Sequence, residues 1–272
     1  MLNEALQLLH SEYENNKKNI KEGTIYSTWF HEKLRHSMQV FGAGNYLIRR
    51  IEWLKTKPAE YVEMVKTAVL LHDIYRFKEI FLVVNENKKI DHGVEGAKFL
   101  RNTELFNDIR IWLPIYHHGH LIQDLYADEQ YQNIKDENLK KEVELICFII
   151  RDADKIANLH MLAYEPEMRP LFLSYGIGNA LTDYSISDFA KEDAFAGLTV
   201  RRTAECTIAD RMLGYLSWFN DINYRYSVEF CEKLDVISKL KEYFQEICLD
   251  KEFTEEYFVY FDECLRTRAF LA

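Results

Sequence analysis

Apolar positions recur at intervals of three and four over most of the chain, the spacing of one face of an α-helix. Tyr61, Val65, Ala68 and His72 form one such stripe, and His36, Val40, Ala43 and Leu47 form another. A third runs through Val143, Cys147, Ile150, Asp154, Ala157 and Met161. Polar segments interrupt the periodicity at 14–23 (ENNKKNIKEG), 55–58 (KTKP), 84–89 (VNENKK), 123–138 and 165–170 (EPEMRP). Between them the pattern predicts helices over about 25–54, 58–73, 92–103, 105–116 and 139–163. Pro58 suits a first helical turn, and Asp91 suits an N-cap. After 170 the pattern loosens into short elements up to about 195, then resumes as helices near 198–220, 225–247 and 253–269. Only 10 Gly and 4 Pro punctuate 272 residues, which favours long helices over many short strands. The expected fold class is all-α.

Each stripe carries a polar group where a core residue belongs. His36, His72 and Asp154 all lie on apolar faces, and Asp73 follows His72 at the end of LLHDIYRF (70–77). A single histidine on an apolar face is more often a hydrogen-bonded core residue. A buried carboxylate is costly unless it is paired or metal-bound. Several such groups converging on one point would suit a transition metal, whose preferred ligands are imidazole nitrogen and carboxylate oxygen. Further imidazoles stand at His92, His117, His118 and His120. The last three crowd a helix end, where protonated histidine also favours the dipole. Six of the nine histidines belong to this set. Asp152 lies on a neighbouring stripe with Leu145, Ile149, Ile156 and Leu159, so periodicity alone does not choose between Asp152 and Asp154.

Composition narrows the function classes. A formal net charge of −10 repels phosphate backbones and argues against general nucleic-acid binding. The five cysteines form no CxxC pair and read as reduced core residues. The N-terminal segment is charged where a secretory signal is apolar, and LICFII (145–150) is too short to span a bilayer. A cytoplasmic protein without a membrane segment is expected.

The ordered set His36, His72-Asp73 and Asp154 resembles the H…HD…D signature of the HD-domain superfamily of metal-dependent phosphohydrolases. AVLLHDIYRF is similar to that family's apolar helix ending in HDIG-R, although Tyr75 stands where glycine is frequent. KIDHGVEGAKFL, PIYHHGH and IIRDADKIANL are similar to its later elements. The likeness covers about residues 30–160. It implies a helical bundle over 1–163, with 164–272 as a helical extension packed on it and helping to form the substrate pocket.

The resemblance also implies roles. Asp154 would be the family's last ligand, with Asp152 orienting another group. His36, His72, Asp73 and Asp154 would hold one divalent ion. His92 and either His118 or His117 would hold a second, with Asp73 shared; the spacing from Ile115 favours His118. Manganese, iron, magnesium, cobalt and nickel all suit such mixed ligands. The implied reaction is hydrolysis of a nucleotide or of a small phosphate monoester or diester by a metal-activated water. Arg76 and Lys155 are the candidate phosphate contacts. The alternatives are a di-iron oxygenase built on the same ligands and a non-catalytic metal or ligand sensor. The aromatic tail YFVYFDECL (257–265) is expected to pack within the monomer, with a substrate pocket or a homodimer face as the other readings.

Overall fold

The computed structural model describes residues 1–174 and 182–271, so the part of the 170–195 segment at 175–181 lies outside the described residues. Among the described residues every regular element is helical, and no helix is long and apolar enough to cross a membrane. The chain divides into two units, residues 1–154 and 155–272.

The first unit opens with α1 (Leu2–Lys17), α2 (Ile25–Ile48), the short α3 (Glu52–Lys55) and α4 (Ala59–Leu70). It continues with α5 (Arg76–Glu86), α6 (His92–Arg101) and α7 (Ile109–His117). Two short helices, α8 (Ile122–Ala127) and α9 (Glu129–Gln132), precede α10 (Glu137–Tyr164), which runs on past the unit boundary. Helix α4 packs on α1, α2 and α7, and α6 packs on α7. Side-chain caps set the starts. Thr24 and Ser27 cap α2 reciprocally, and the Asp91 and Asp108 carboxylates accept from the first turns of α6 and α7.

Several boundaries differ from those expected. Helix α2 stops at Ile48, and a turn at Arg49–Arg50 separates it from α3. Helix α4 ends at Leu70, so His72 and Asp73 stand on the turn 71–75 rather than inside a helix. Tight backbone bonds hold that turn, from Ile74 N–H to Leu71 O (3.0 Å) and from Arg76 N–H to Asp73 O (2.9 Å). On a continued helix these adjacent side chains would point about 100° apart, whereas the turn brings both to one place. The polar segment 123–138 takes in most of α8 and all of α9, the latter capped by Asp128.

Helices α2 and α4 approach closely at Gly44, where an added Cβ would lie 2.6 Å from Val69 Cγ1. Valine is stiff at χ1 and cannot swing aside. Gly44→Ala should therefore destabilise by about 1–3 kcal/mol. Gly42, two residues earlier, faces open space. Gly42→Ala should stabilise by about 0.5–1 kcal/mol through helix propensity. Urea midpoints of the two variants, measured side by side, test this opposite sign.

The second unit contains α11 (Arg169–Ser174), α12 (Asp188–Phe195), α13 (Ile208–Leu216), α14 (Arg225–Lys233), α15 (Val236–Ile247) and α16 (Lys251–Thr267). Helix α13 is buried along its whole length and packs on α11, α12 and α15. The helix expected near 198–220 starts only at Ile208, because Thr207 and Asp210 form a reciprocal cap there. The one expected over 225–247 is split at Asp235, whose φ of 55° is left-handed. An isolated parallel bridge joins Tyr224 to Leu271. All five cysteines are free, and four are buried.

Candidate metal centre

Four elements of the first unit deliver ionisable side chains to one place. Helix α2 supplies His36, the turn after α4 supplies His72 and Asp73, the start of α6 supplies His92, and the residue after α7 is His118. Two groups form, His36–His72–Asp73 and Asp73–His92–His118, each with ligand atoms within 4.8 Å of one another. Asp73 belongs to both, and its two oxygens divide the work. Oδ2 faces His72 Nε2 (3.7 Å) and His36 Nε2 (3.9 Å). Oδ1 faces His92 Nε2 (3.0 Å) and His118 Nε2 (3.5 Å). Asp154 Oδ1 lies 2.9 Å from His36 Nε2 and 3.8 Å from His72 Nε2.

The ring orientations are set from behind. His72 Nδ1 lies 3.0 Å from the Val69 carbonyl, and His118 Nδ1 lies 2.6 Å from the Ile115 carbonyl. A carbonyl only accepts, so both rings carry their proton on Nδ1 and turn an Nε2 lone pair inward. His72 Nε2 is buried and has no hydrogen-bond partner. His92 receives the Arg76 Nη2 donor at 2.8 Å on Nε2, while its Nδ1 lies 3.5 Å from Glu79 Oε2. The Arg76 donor favours the same tautomer, while Asp73 Oδ1, 3.0 Å from the same Nε2, favours the other. The His92 and His118 Nε2 atoms are 3.2 Å apart.

This donor set fits a metal. Ligand atoms ~2.0–2.2 Å from an ion stand about 3.0–3.6 Å from one another, close to the spacings here. A cation would satisfy the orphaned His72 nitrogen, which no protein donor does, and would separate the His92 and His118 nitrogens electrostatically.

The charges are arranged to keep the acids ionised and the rings neutral. Burial opposes ionisation of Asp73, but Arg76, His72, Lys33 and His92 overcome it and hold the carboxyl well below its usual range. Asp154 is likewise held low against its burial by the His36 hydrogen bond. Burial lowers the His72 pKa to about 4. Burial and then the Arg76 charge lower that of His92 to about 3. His36 is lowered by burial and by Lys33. Neutral imidazole is the form that binds metal.

The adjacent His117 and His118 part company. His118 joins the cluster, whereas His117 Nε2 pairs with Asp128 Oδ2 at 3.0 Å. His120 pairs with Asp91 at 2.7 Å. Arg151 closes the end of α7, its Nη1 donating to the carbonyls of His117, His118 and His120. A guanidinium at a helix C-terminus matches the dipole and steadies the segment that presents His118. Asp152 is fully buried. Lys155 opens the second unit, where its ammonium pairs with Asp221 at 2.9 Å.

Two groups escaped the sequence reading. Lys33 Nζ stands 3.6 Å from Asp73 Oδ2, one helical turn before His36. Glu79, buried on α5, accepts from Arg76 Nη1 at 2.6 Å and backs His92. Their i,i+3 spacings from His36 and Arg76 were the available signal.

A family model described as HD domain matches residues 34–159. No curated protein and no solved structure matches the chain.

Proposed function

Residues 34–159 of this chain belong to the HD-domain family, and from that premise we propose a metal-dependent phosphohydrolase that cleaves a nucleotide or a small phosphate monoester or diester. The observation that carries the reading is the division of Asp73, with one oxygen toward His36 and His72 and the other toward His92 and His118. His36, His72, Asp73 and Asp154 would hold one divalent ion, and Asp73, His92 and His118 a second. Bound there, the ions would supply Lewis acidity and a water acidic enough to attack phosphorus near neutral pH.

The chain's own groups do the positioning. The Val69 and Ile115 carbonyls hold the His72 and His118 rings. Arg76 spans Asp73, Glu79 and His92, and its forked guanidinium suits phosphoryl oxygens. Lys155, engaged with Asp221, has its charge already matched.

Metal analysis of the purified protein, followed by a phosphate-release screen over nucleotides, monoesters and diesters, tests the proposal. Release dependent on added metal is the expected result. Bound iron with oxygen-dependent turnover would point instead to an oxygenase. Metal without any turnover would point to a sensor.

Two variants resolve the ligand set. His118→Ala should lose one ion of two, whereas His117→Ala should keep both and lose only its contact with Asp128. Glu79→Gln should weaken the ion held by His92 about 10–100-fold, since it removes a group that orients a ligand ring. Competitive titration with a chromophoric chelator reads both effects, and an unchanged second affinity in Glu79→Gln would remove Glu79 from the account.

A further inference from the structure

Lys33 sits oddly for a surface lysine. Helix α2 places it three residues before His36, and its side chain is only 16% exposed. Its nearest acidic oxygen is Asp73 Oδ2 at 3.6 Å, and no hydrogen bond to its ammonium is made among the described residues. An ammonium carries three donors, and leaving them unmet in a nearly buried position is costly. Asp73 has other partners besides this one. Its Oδ2 already has Arg76 Nε at 3.5 Å and faces His36 and His72. Packing alone would be served more cheaply by methionine or leucine. An ammonium without a hydrogen bond beside the ligand cluster, with a little of its side chain open to solvent, is suited to receive an anion.

We propose that Lys33 is an anion-binding residue of this centre, its ammonium taking a non-bridging oxygen of a phosphoryl group. The assignment rests on the phosphohydrolase reading and adds to it a second cation beside Arg76. Lys33 approaches from α2 and Arg76 from the start of α5, so the two hold one phosphoryl group from different helices. A charge-assisted bond of this kind also explains a lysine here rather than an arginine. Its single point charge complements the fork that Arg76 already provides.

The test uses the full chain loaded with manganese and inorganic phosphate as the probe. Calorimetry should show phosphate affinity falling about 10- to 100-fold in Lys33→Met, with manganese stoichiometry unchanged. Lys33→Arg should recover most of the loss, because it restores the charge. If Lys33→Met does not fold, Lys33→Gln takes its place in the same comparison. A neutral variant that binds phosphate as tightly as the wild type overturns the assignment, leaving Lys33 as a counter-charge to Asp73. If the loaded wild type takes up no phosphate, the phosphohydrolase reading itself falls, and Lys33 with it.

Discussion

Asp73→Asn is expected to empty the centre of both ions and to reduce phosphate release to background. The substitution keeps the volume and removes the charge. Asp73 is the one residue common to both ligand groups, and each of its oxygens serves a different pair of histidines. An amide offers one oxygen and one donor nitrogen, so at least one group must face an N–H where it needs a lone pair. The variant should also be less stable without metal. Lys33 and Arg76 both stand on the carboxylate and would be left beside a neutral group. Removing one partner of a buried ion pair costs about 3–5 kcal/mol; the low end is expected here, because Arg76 keeps Glu79 and both cations are partly solvated. Elemental analysis, a phosphate assay and a urea titration of the chelated protein check the three parts. Turnover retained by a folded Asp73→Asn would reject the shared-ligand centre.

The all-α class and the main helices of the first unit were legible in the three-and-four periodicity, because those helices bury one face against neighbours. Asp91 could be read as a cap for the same reason that any short carboxylate before an apolar run can. The ends of helices were less legible. Periodicity carries His72 forward as though α4 continued, yet the chain turns at Leu71, and that turn is what brings Asp73 between two sets of histidines. The metal candidates His36, His72, Asp73, His92 and His118 could be found as polar residues on apolar stripes or in a crowded imidazole set. The choice of His118 over His117 was favoured only by the spacing from Ile115, because the partner that engages the His117 ring, Asp128, lies eleven residues on, beyond α8. Lys33 and Glu79 left only their i,i+3 spacings as a signal, for a related reason. A charged residue on a helix reads as solvated until a neighbouring helix covers it. In the second unit, the cap at Thr207 and the left-handed Asp235 overrode an apparently continuous pattern.

Stripped of metal, the protein should lose stability steeply between pH 7 and pH 5. The histidine rings are the reason. His72 is depressed by burial to about 4, and His92 by burial and Arg76 to about 3, from an ordinary value of 6.5. Below pH 6.5 the unfolded chain takes up protons that the native state refuses until much lower pH. The unfolded state therefore gains, and stability that is complete above 6.5 drains away as pH falls toward the folded values. At pH 5 each ring accounts for about 2 kcal/mol relative to pH 7, so the pair costs about 4 kcal/mol. That is a large part of an ordinary folding free energy of about 5–15 kcal/mol. The low-lying carboxyls of Asp73 and Asp154 act in the same direction, but only at still lower pH, where they too must protonate. Bound metal should blunt the acid loss at first, since an ion on the same nitrogens stabilises the native state by mass action. Urea titrations of the chelated protein at the two pH values measure the difference directly. Equal stability at both would mean that the rings are not held neutral, and the electrostatic design inferred for the centre would then be wrong.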